Sequence, residues 1–187
     1  MVAFSSSALI SAAVAVLYAS GAASAPTPST NELAAVVARA PGVTHTVVVG
    51  LGGLRFDPDN VVANIGDIVE YHYLPKNHSV AQSSFGKPCV PINGNAFFSG
   101  FMPTAEGQNP NVFTITVNDT NPIWYYCSQT NGNHCQSGMA GVINQNFNSP
   151  NTLSAYKAAA ALTGTSISPP RIGGGVVKPN PNPLGGF

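Results

Sequence analysis

The chain predicts an all-β sandwich, on three observations. Short runs of β-branched and aromatic residues recur between positions 43 and 144. Clusters of Gly, Pro and Asn separate them. No helical apolar period lies between them.

The first run, Val43 to Val49, follows the breaker pair Pro41-Gly42 and reads as a strand. A second covers Val61 to Ile65, with Gly66-Asp67 as the turn after it. Ile68 to Leu74 (Ile-Val-Glu-Tyr-His-Tyr-Leu) is a third, with partial alternation. Val112 to Val117 alternates from Phe113 onward, and Asn118-Asp119 ends it. Ile123-Trp124-Tyr125-Tyr126-Cys127 is an aromatic strand, and Ala140 to Asn144 is the last. A helix is expected only after the sandwich. Ser149 can cap it, Pro150 suits its first turn, residues 153–162 are mostly good helix formers, and Gly164 stops it.

The flanks differ in composition. Ala8 to Tyr18 is an apolar run followed by small residues up to Ala25, the pattern of a secretory signal over residues 1–23. It is shorter than the ~20 apolar residues of a membrane span. Residues 24–42 read as a propeptide or linker, 43–147 as the sandwich domain, and 148–187 as the helix and a Pro/Gly-rich tail, with both tails disordered. The end of that tail, Asn180 to Phe187, lacks the hydrophobic stretch of a lipid-anchor signal. A soluble protein of the extracellular space or cell wall, without a membrane span and monomeric, is expected. Two glycosylation sequons follow from that setting, at Asn77 and at Asn118. Asn118, at a strand end, is the better acceptor.

Only 7% of the 187 residues are charged. Between Val43 and Phe147, Arg55, Lys76 and Lys87 face Asp57, Asp59, Asp67, Glu70, Glu106 and Asp119. Nucleic-acid binding needs clustered Lys and Arg, so that class of partner is excluded.

The chemistry is concentrated in one stretch. Cys127, His134 and Met139 lie within it, and His78 lies upstream in Pro75-Lys76-Asn77-His78-Ser79. One thiolate, two imidazoles and one thioether form the ligand set of a mononuclear blue-copper site. Cys127 ends a strand, His134 sits in the loop that follows, Met139 precedes the next strand, and His78 follows the strand ending at Leu74. His45 and His72 are read as ordinary surface or core residues. The chain holds three cysteines. An odd count in a secreted chain suggests one pair and one free thiol. Pairing of Cys127 with Cys89 or Cys135 would abolish the copper site, so which cysteine stays free decides the chemistry.

At this point a resemblance bears on the reading. The matching motifs are Phe56-Asp57-Pro58, Gly66-Asp67, Asn77-His78-Ser79-Val80, Phe85-Gly86-Lys87-Pro88-Cys89, Ser99-Gly100-Phe101-Met102-Pro103, Trp124-Tyr125-Tyr126-Cys127-Ser128 and His134-Cys135-Gln136-Ser137-Gly138-Met139. From Leu54 to Asn144 the chain resembles the fungal secreted cupredoxins, and more distantly the plant phytocyanins. The resemblance implies a cupredoxin-type Greek-key β-sandwich holding one type 1 copper. His78, Cys127 and His134 would be its equatorial ligands and Met139 its axial one. It also implies a Cys89–Cys135 disulfide. Asn77 is read as a neighbour of the ligands whose amide orients their loops by hydrogen bonds.

The expected function is one-electron transfer with an unidentified redox partner, His134 being the port. The alternative is a copper-binding or wall-associated module without redox turnover. An enzyme is not expected. A multicopper oxidase needs His-x-His pairs, which the chain lacks. A histidine brace needs His at the mature N-terminus, which His45 would supply only after cleavage at Thr44.

Overall fold

A computed structural model describes residues 42–187. The predicted signal and the propeptide or linker fall outside them, apart from Gly42. The elements in chain order are β1 (Thr44–Val49), β2 (Phe56–Asp57), β3 (Asn60–Val61), β4 (Ile68–Tyr73), β5 (Lys76–His78), β6 (Ala81–Ser83), β7 (Met102–Thr104), β8 (Asn111–Thr116), β9 (Ile123–Tyr126), β10 (Ala140–Ile143), α1 (Leu153–Ala160) and β11 (Val176–Pro179). They form a five-stranded sheet in the order β11-β8-β4-β1-β2, a four-stranded sheet in the order β3-β10-β9-β6, and the small pair β5-β7. In the large sheet β1 pairs with β4 in parallel, and β4 with β8 antiparallel.

Alternation explains how two layers enclose one core. On β4, Val69, Tyr71 and Tyr73 point inward and are fully buried. From the facing sheet Tyr125, Cys127, Met139 and Ile143 enter the same cluster, with Phe56, Phe113 and Ile115. Tyr71 meets Tyr125 edge-on at 5.4 Å between ring centroids. Gly141 of β10 leaves room for that tyrosine, because a Cβ there would lie 2.4 Å from its Cζ.

The four-stranded sheet is buried on its other face too. Trp124, Tyr126, Ala140 and Val142 form a second cluster with Leu153, Tyr156 and Ala160 of α1. Trp124 stacks on Tyr156 at 5.3 Å. This is why β9 reads as a continuous aromatic run: its odd positions face the sandwich and its even positions face the helix. The helix begins later than the sequence suggests. Thr152, not Ser149, is the N-cap, its Oγ1 accepting from Ala155 N at 3.1 Å. Ser149 instead accepts from Asn151 N at 3.2 Å, in the turn before the helix.

The strand predicted over Val61 to Ile65 shortens to Asn60–Val61. Side chains take over its backbone groups. Asn144 brackets Ala63, accepting from its N at 2.8 Å and donating to its O at 2.9 Å. Asp67 accepts from Asn64 N at 2.9 Å. Such side-chain bonding to the backbone, local from Asp67 and long-range from Asn144, competes with ladder formation.

A larger correction concerns the C-terminal tail, expected to be disordered. It is laid over the sandwich as an ordered strap. β11 pairs antiparallel with β8 and covers what would be an open sheet edge. Lys178 of β11 meets Glu70 at 2.8 Å, and Glu70 in turn meets His72 at 2.8 Å on the outer face of β4. Asn180 is buried, its N donating to Pro110 O at 2.8 Å and its Nδ2 to Asn109 O at 3.1 Å. Further up, Ile167 N donates to Cys89 O at 3.0 Å, and Tyr126 Oη donates to Ile167 O. Pro and Gly content predicted low local order; long-range backbone pairing decides otherwise. Among the described residues, no helix is long and apolar enough to cross a membrane.

Candidate metal centre

The site forms at one end of the sandwich, where β5, the segment after β9 and the turn before β10 meet. His78 closes β5 and lies opposite Met102 of β7. The chain enters β5 through Lys76, whose φ of 99° is left-handed, a sparsely populated conformation for a residue with a side chain. Gly50, at the end of β1, packs against the His78 ring; a Cβ on it would lie 2.6 Å from Nε2.

Cys127 follows β9 directly and is fully buried. Its N donates to Met139 O at 3.0 Å, and Met139 N donates to His134 O at 2.9 Å. Three of the four residues picked from the sequence are thus tied through the main chain. The turns between them use Gly132 and Gly138 at φ of 87° and 90° and Asn133 at φ of 50°. Met139 is fully buried in the same cluster as Cys127.

Sγ of Cys127 and one ring nitrogen each of His78 and His134 all lie within 4.8 Å of one another. Sγ is 3.3 Å from Nδ1 of His134, and the two imidazole centroids are 5.0 Å apart. The remaining cysteines are joined to each other, Cys89 to Cys135, with Cα atoms 5.8 Å apart. The thiol of Cys127 is free. The bridge fixes the residue after His134 to the segment that follows β6.

The protonation pattern suits a cation. Nε2 of His78 is 3.3 Å from Pro75 O, which can only accept. That leaves Nδ1 as the bare acceptor, and it is buried with no hydrogen-bond partner. A buried polar atom without a partner is costly, and a metal ion is one partner that would satisfy it. Burial holds the His78 imidazole below the usual histidine range. His134 falls further, to about 4, through burial and then the nearby charges of His78 and Lys76. Both rings are therefore neutral near pH 7, with lone pairs available. Burial pushes the Cys127 thiol up, against N–H donors from Gln129 and Ser79. A cation beside the sulfur would shift the balance toward the thiolate in such a pocket.

Outside the ligand atoms, Ser79 N approaches Sγ at 3.3 Å and Ser79 Oγ at 3.8 Å, within the longer reach of a sulfur acceptor. The sequence assigns no role to either Ser79 or Gly50: Ser79 enters only as part of the Asn77-His78-Ser79-Val80 motif, and Gly50 as a glycine after a strand. Asn77 lies in β5, directly before His78. Its Oδ1 is buried without a partner, and the tie to the neighbouring loop is its main-chain O, which accepts from Gln129 Nε2 at 3.5 Å. Asn118 is exposed just beyond β8. His45 meets Asp67 at 2.9 Å, and His72 lies between Glu70 and Gln108; neither belongs to the cluster. The mouth above His134 is a cleft lined by Leu54, Lys76, Asn77, Gln129, Asn131 and Gly132.

No family model matches the chain. Two proteins of Arthroderma benhamiae are similar in sequence. One, named extracellular serine-rich protein, is 36% identical over 151 residues, covering 81% of this chain and 58% of its own length. The other, named probable GPI-anchored cupredoxin-1, is 37% identical over 131 residues, covering 70% of this chain and 66% of its own length. The chain therefore spans about three fifths to two thirds of these relatives. Among solved structures, auracyanin B aligns with a TM-score of 0.41 and 14% identity, over 57% of this chain and 91% of its own. Pseudoazurin from Hyphomicrobium denitrificans aligns with a TM-score of 0.40 and 16% identity, over 66% of this chain and all of its own.

Proposed function

The chain belongs to the cupredoxin family, and from that premise we propose that it is an extracellular type 1 copper protein that carries single electrons. The observation that carries this is the buried, partnerless Nδ1 of His78 beside a free buried thiol and a second neutral imidazole. His78, Cys127 and His134 would hold copper, with the Met139 thioether as the weak fourth donor. Zinc accepts the same three donors, but a thioether in fourth place favours copper.

Copper supplies the chemistry of a reversible one-electron couple at this position. The protein's own residues do the rest. The disulfide and the main-chain bonds among Cys127, Met139 and His134 hold the donors in place. Gly50 and the Pro75 carbonyl set the orientation of the His78 ring. The aromatic core below Cys127 excludes water from the sulfur. Of the four donors, His134 is the one that lines the surface cleft, and it would pass the electron to a docking redox partner. The extracellular setting is supported by the disulfide and by the names of the two relatives.

The test is metal analysis with optical and EPR spectra of the copper-loaded protein. An intense thiolate-to-copper band toward the red end of the visible is expected, and Cys127→Ser should remove it. A copper-loaded protein without that band would refute the reading. The GPI-anchored name of one relative favours a second reading, a wall-attached copper-holding module without turnover. A blue band combined with very slow electron self-exchange would select it.

A further inference from the structure

Three hydroxyls connect the C-terminal strap to the metal-site sulfur. Ser168 Oγ donates to Ser128 Oγ at 2.8 Å. Ser128 Oγ lies 3.0 Å from Ser79 Oγ. Ser79 Oγ reaches Cys127 Sγ at 3.8 Å. Ser79 and Ser128 are fully buried, so water does not compete for their protons. The strap is fastened on both sides of Ser168. Ser166 Oγ donates to Gln136 Oε1 at 3.2 Å, Ile167 is bonded to Cys89 and Tyr126, and Pro169 is buried.

We propose that Ser168 is a positioning residue that sets the direction of this hydroxyl chain and thereby keeps a hydrogen bond on the Cys127 sulfur. The proton count makes the direction definite. Ser79 Oγ already accepts from Ser128 N at 3.0 Å. Its own proton has two acceptors in reach, the sulfur and Ser128 Oγ. When Ser168 donates to Ser128, the Ser128 proton is turned toward Ser79, and the Ser79 proton is left to the sulfur. Each hydroxyl in such a chain polarises the next. Without the Ser168 hydroxyl, Ser128 Oγ is a vacant acceptor, and the Ser79 proton turns to it and away from Cys127. The strap, remote in sequence from every ligand, thus adjusts the electron density of the thiolate.

The inference rests on the copper reading above. Hydrogen bonding around the Cys sulfur tunes the reduction potential of such a centre. A bond lost from the sulfur destabilises the more electron-rich reduced state, so the potential falls.

The experiment compares wild type, Ser168→Ala, Ser168→Thr, Ser79→Ala and the Ser79→Ala/Ser168→Ala double variant as full-length, copper-loaded proteins. Reduction potential and charge-transfer energy are the readouts. Ser168→Ala should lose up to about tenfold in preference for Cu(I), ~59 mV for a one-electron couple. Its band should move to longer wavelength. Ser168→Thr should retain the wild-type values. In the Ser79→Ala background, Ser168→Ala should change nothing further, the signature of one coupled chain. An unchanged potential in Ser168→Ala, or shifts that add in the double variant, would overturn the proposal. A wild type that binds copper without the blue band would instead sink the copper reading. The relay is then judged on the metal-free protein by NMR. Slowly exchanging Ser79 and Ser128 hydroxyl protons that become fast in Ser168→Ala support it; exchange indifferent to position 168 refutes it.

Discussion

A methyl group at position 50 would lie 2.6 Å from Nε2 of His78, closer than real side chains tolerate. Gly50 also sits at φ 94°, a region that costs other residues about 1–2 kcal/mol. Gly50→Ala should therefore act twice, straining the turn and pushing the ring off the bond to Pro75. The expected result is weaker copper binding in a chelator competition and a changed EPR signal, with a loss of about 1–3 kcal/mol in the metal-free protein. Wild-type copper affinity in this variant would show that the ring is not held from this side. The four candidate ligands were legible because their residue types are chemically selective. Gly50, Ser79 and Ser168 were not, because a glycine and a hydroxyl acquire a role only from what the fold brings next to them.

β9 shows how an element carries the site. Its alternation sends Tyr125 and then Cys127 into the sandwich and Trp124 and Tyr126 toward α1. The register of one strand thus sets both the sulfur and the helix-covered face. Tyr156 locks the arrangement, stacked on Trp124 and sharing its hydroxyl with Ser83 at 2.6 Å. Tyr156→Ala should cost about 3–5 kcal/mol in denaturant melts, the range for truncating a fully buried aromatic. A loss under ~1 kcal/mol would mean that α1 is not needed to hold the sheet. The Cys89–Cys135 bridge closes a loop of 46 residues, worth about 4 kcal/mol in the chain-entropy model. Replacing both by Ala should cost that much and also loosen His134, seen as a broadened EPR spectrum of the copper form. The long, β-branched or aromatic strands were legible, because their burial pattern is written along the chain. The two- and three-residue strands β2, β5, β6 and β7 were not, being too short to show a period. β11 was hidden by its Pro/Gly surroundings, since its order comes from β8 and from Glu70 rather than from its own propensity.

For the molecule as a whole, proton linkage makes one connected prediction. The metal-free fold holds Asp67 below the usual carboxylate range through its hydrogen bond with His45. Burial raises Glu70, but bonds from Lys178 and His72 outweigh it, and the net direction is down. Both contribute stability that is present above the unfolded carboxyl value of about 4 and is lost as pH falls through the folded values. His78 and His134 are lowered too, so below about 6.5 the unfolded chain takes up protons that the folded one refuses. That loss begins near neutrality and, for His134, is complete only below about 4. Cys127 works in the other direction. Its folded thiol keeps a proton that the unfolded chain gives up above about 8.5, so stability also declines on the alkaline side. The metal-free protein should therefore be most stable between roughly pH 6.5 and 8.5. Copper at the site would hold the sulfur as thiolate and so remove the Cys127 part of the alkaline decline, leaving only the fall above about 10 from buried tyrosines whose hydroxyls burial pushes up. It also commits both imidazoles as neutral donors, which steepens the acid one. Denaturant melts at stepped pH, with and without copper, measure both limbs. An alkaline decline of equal size in the two forms would mean that the sulfur of Cys127 is not bound to the metal.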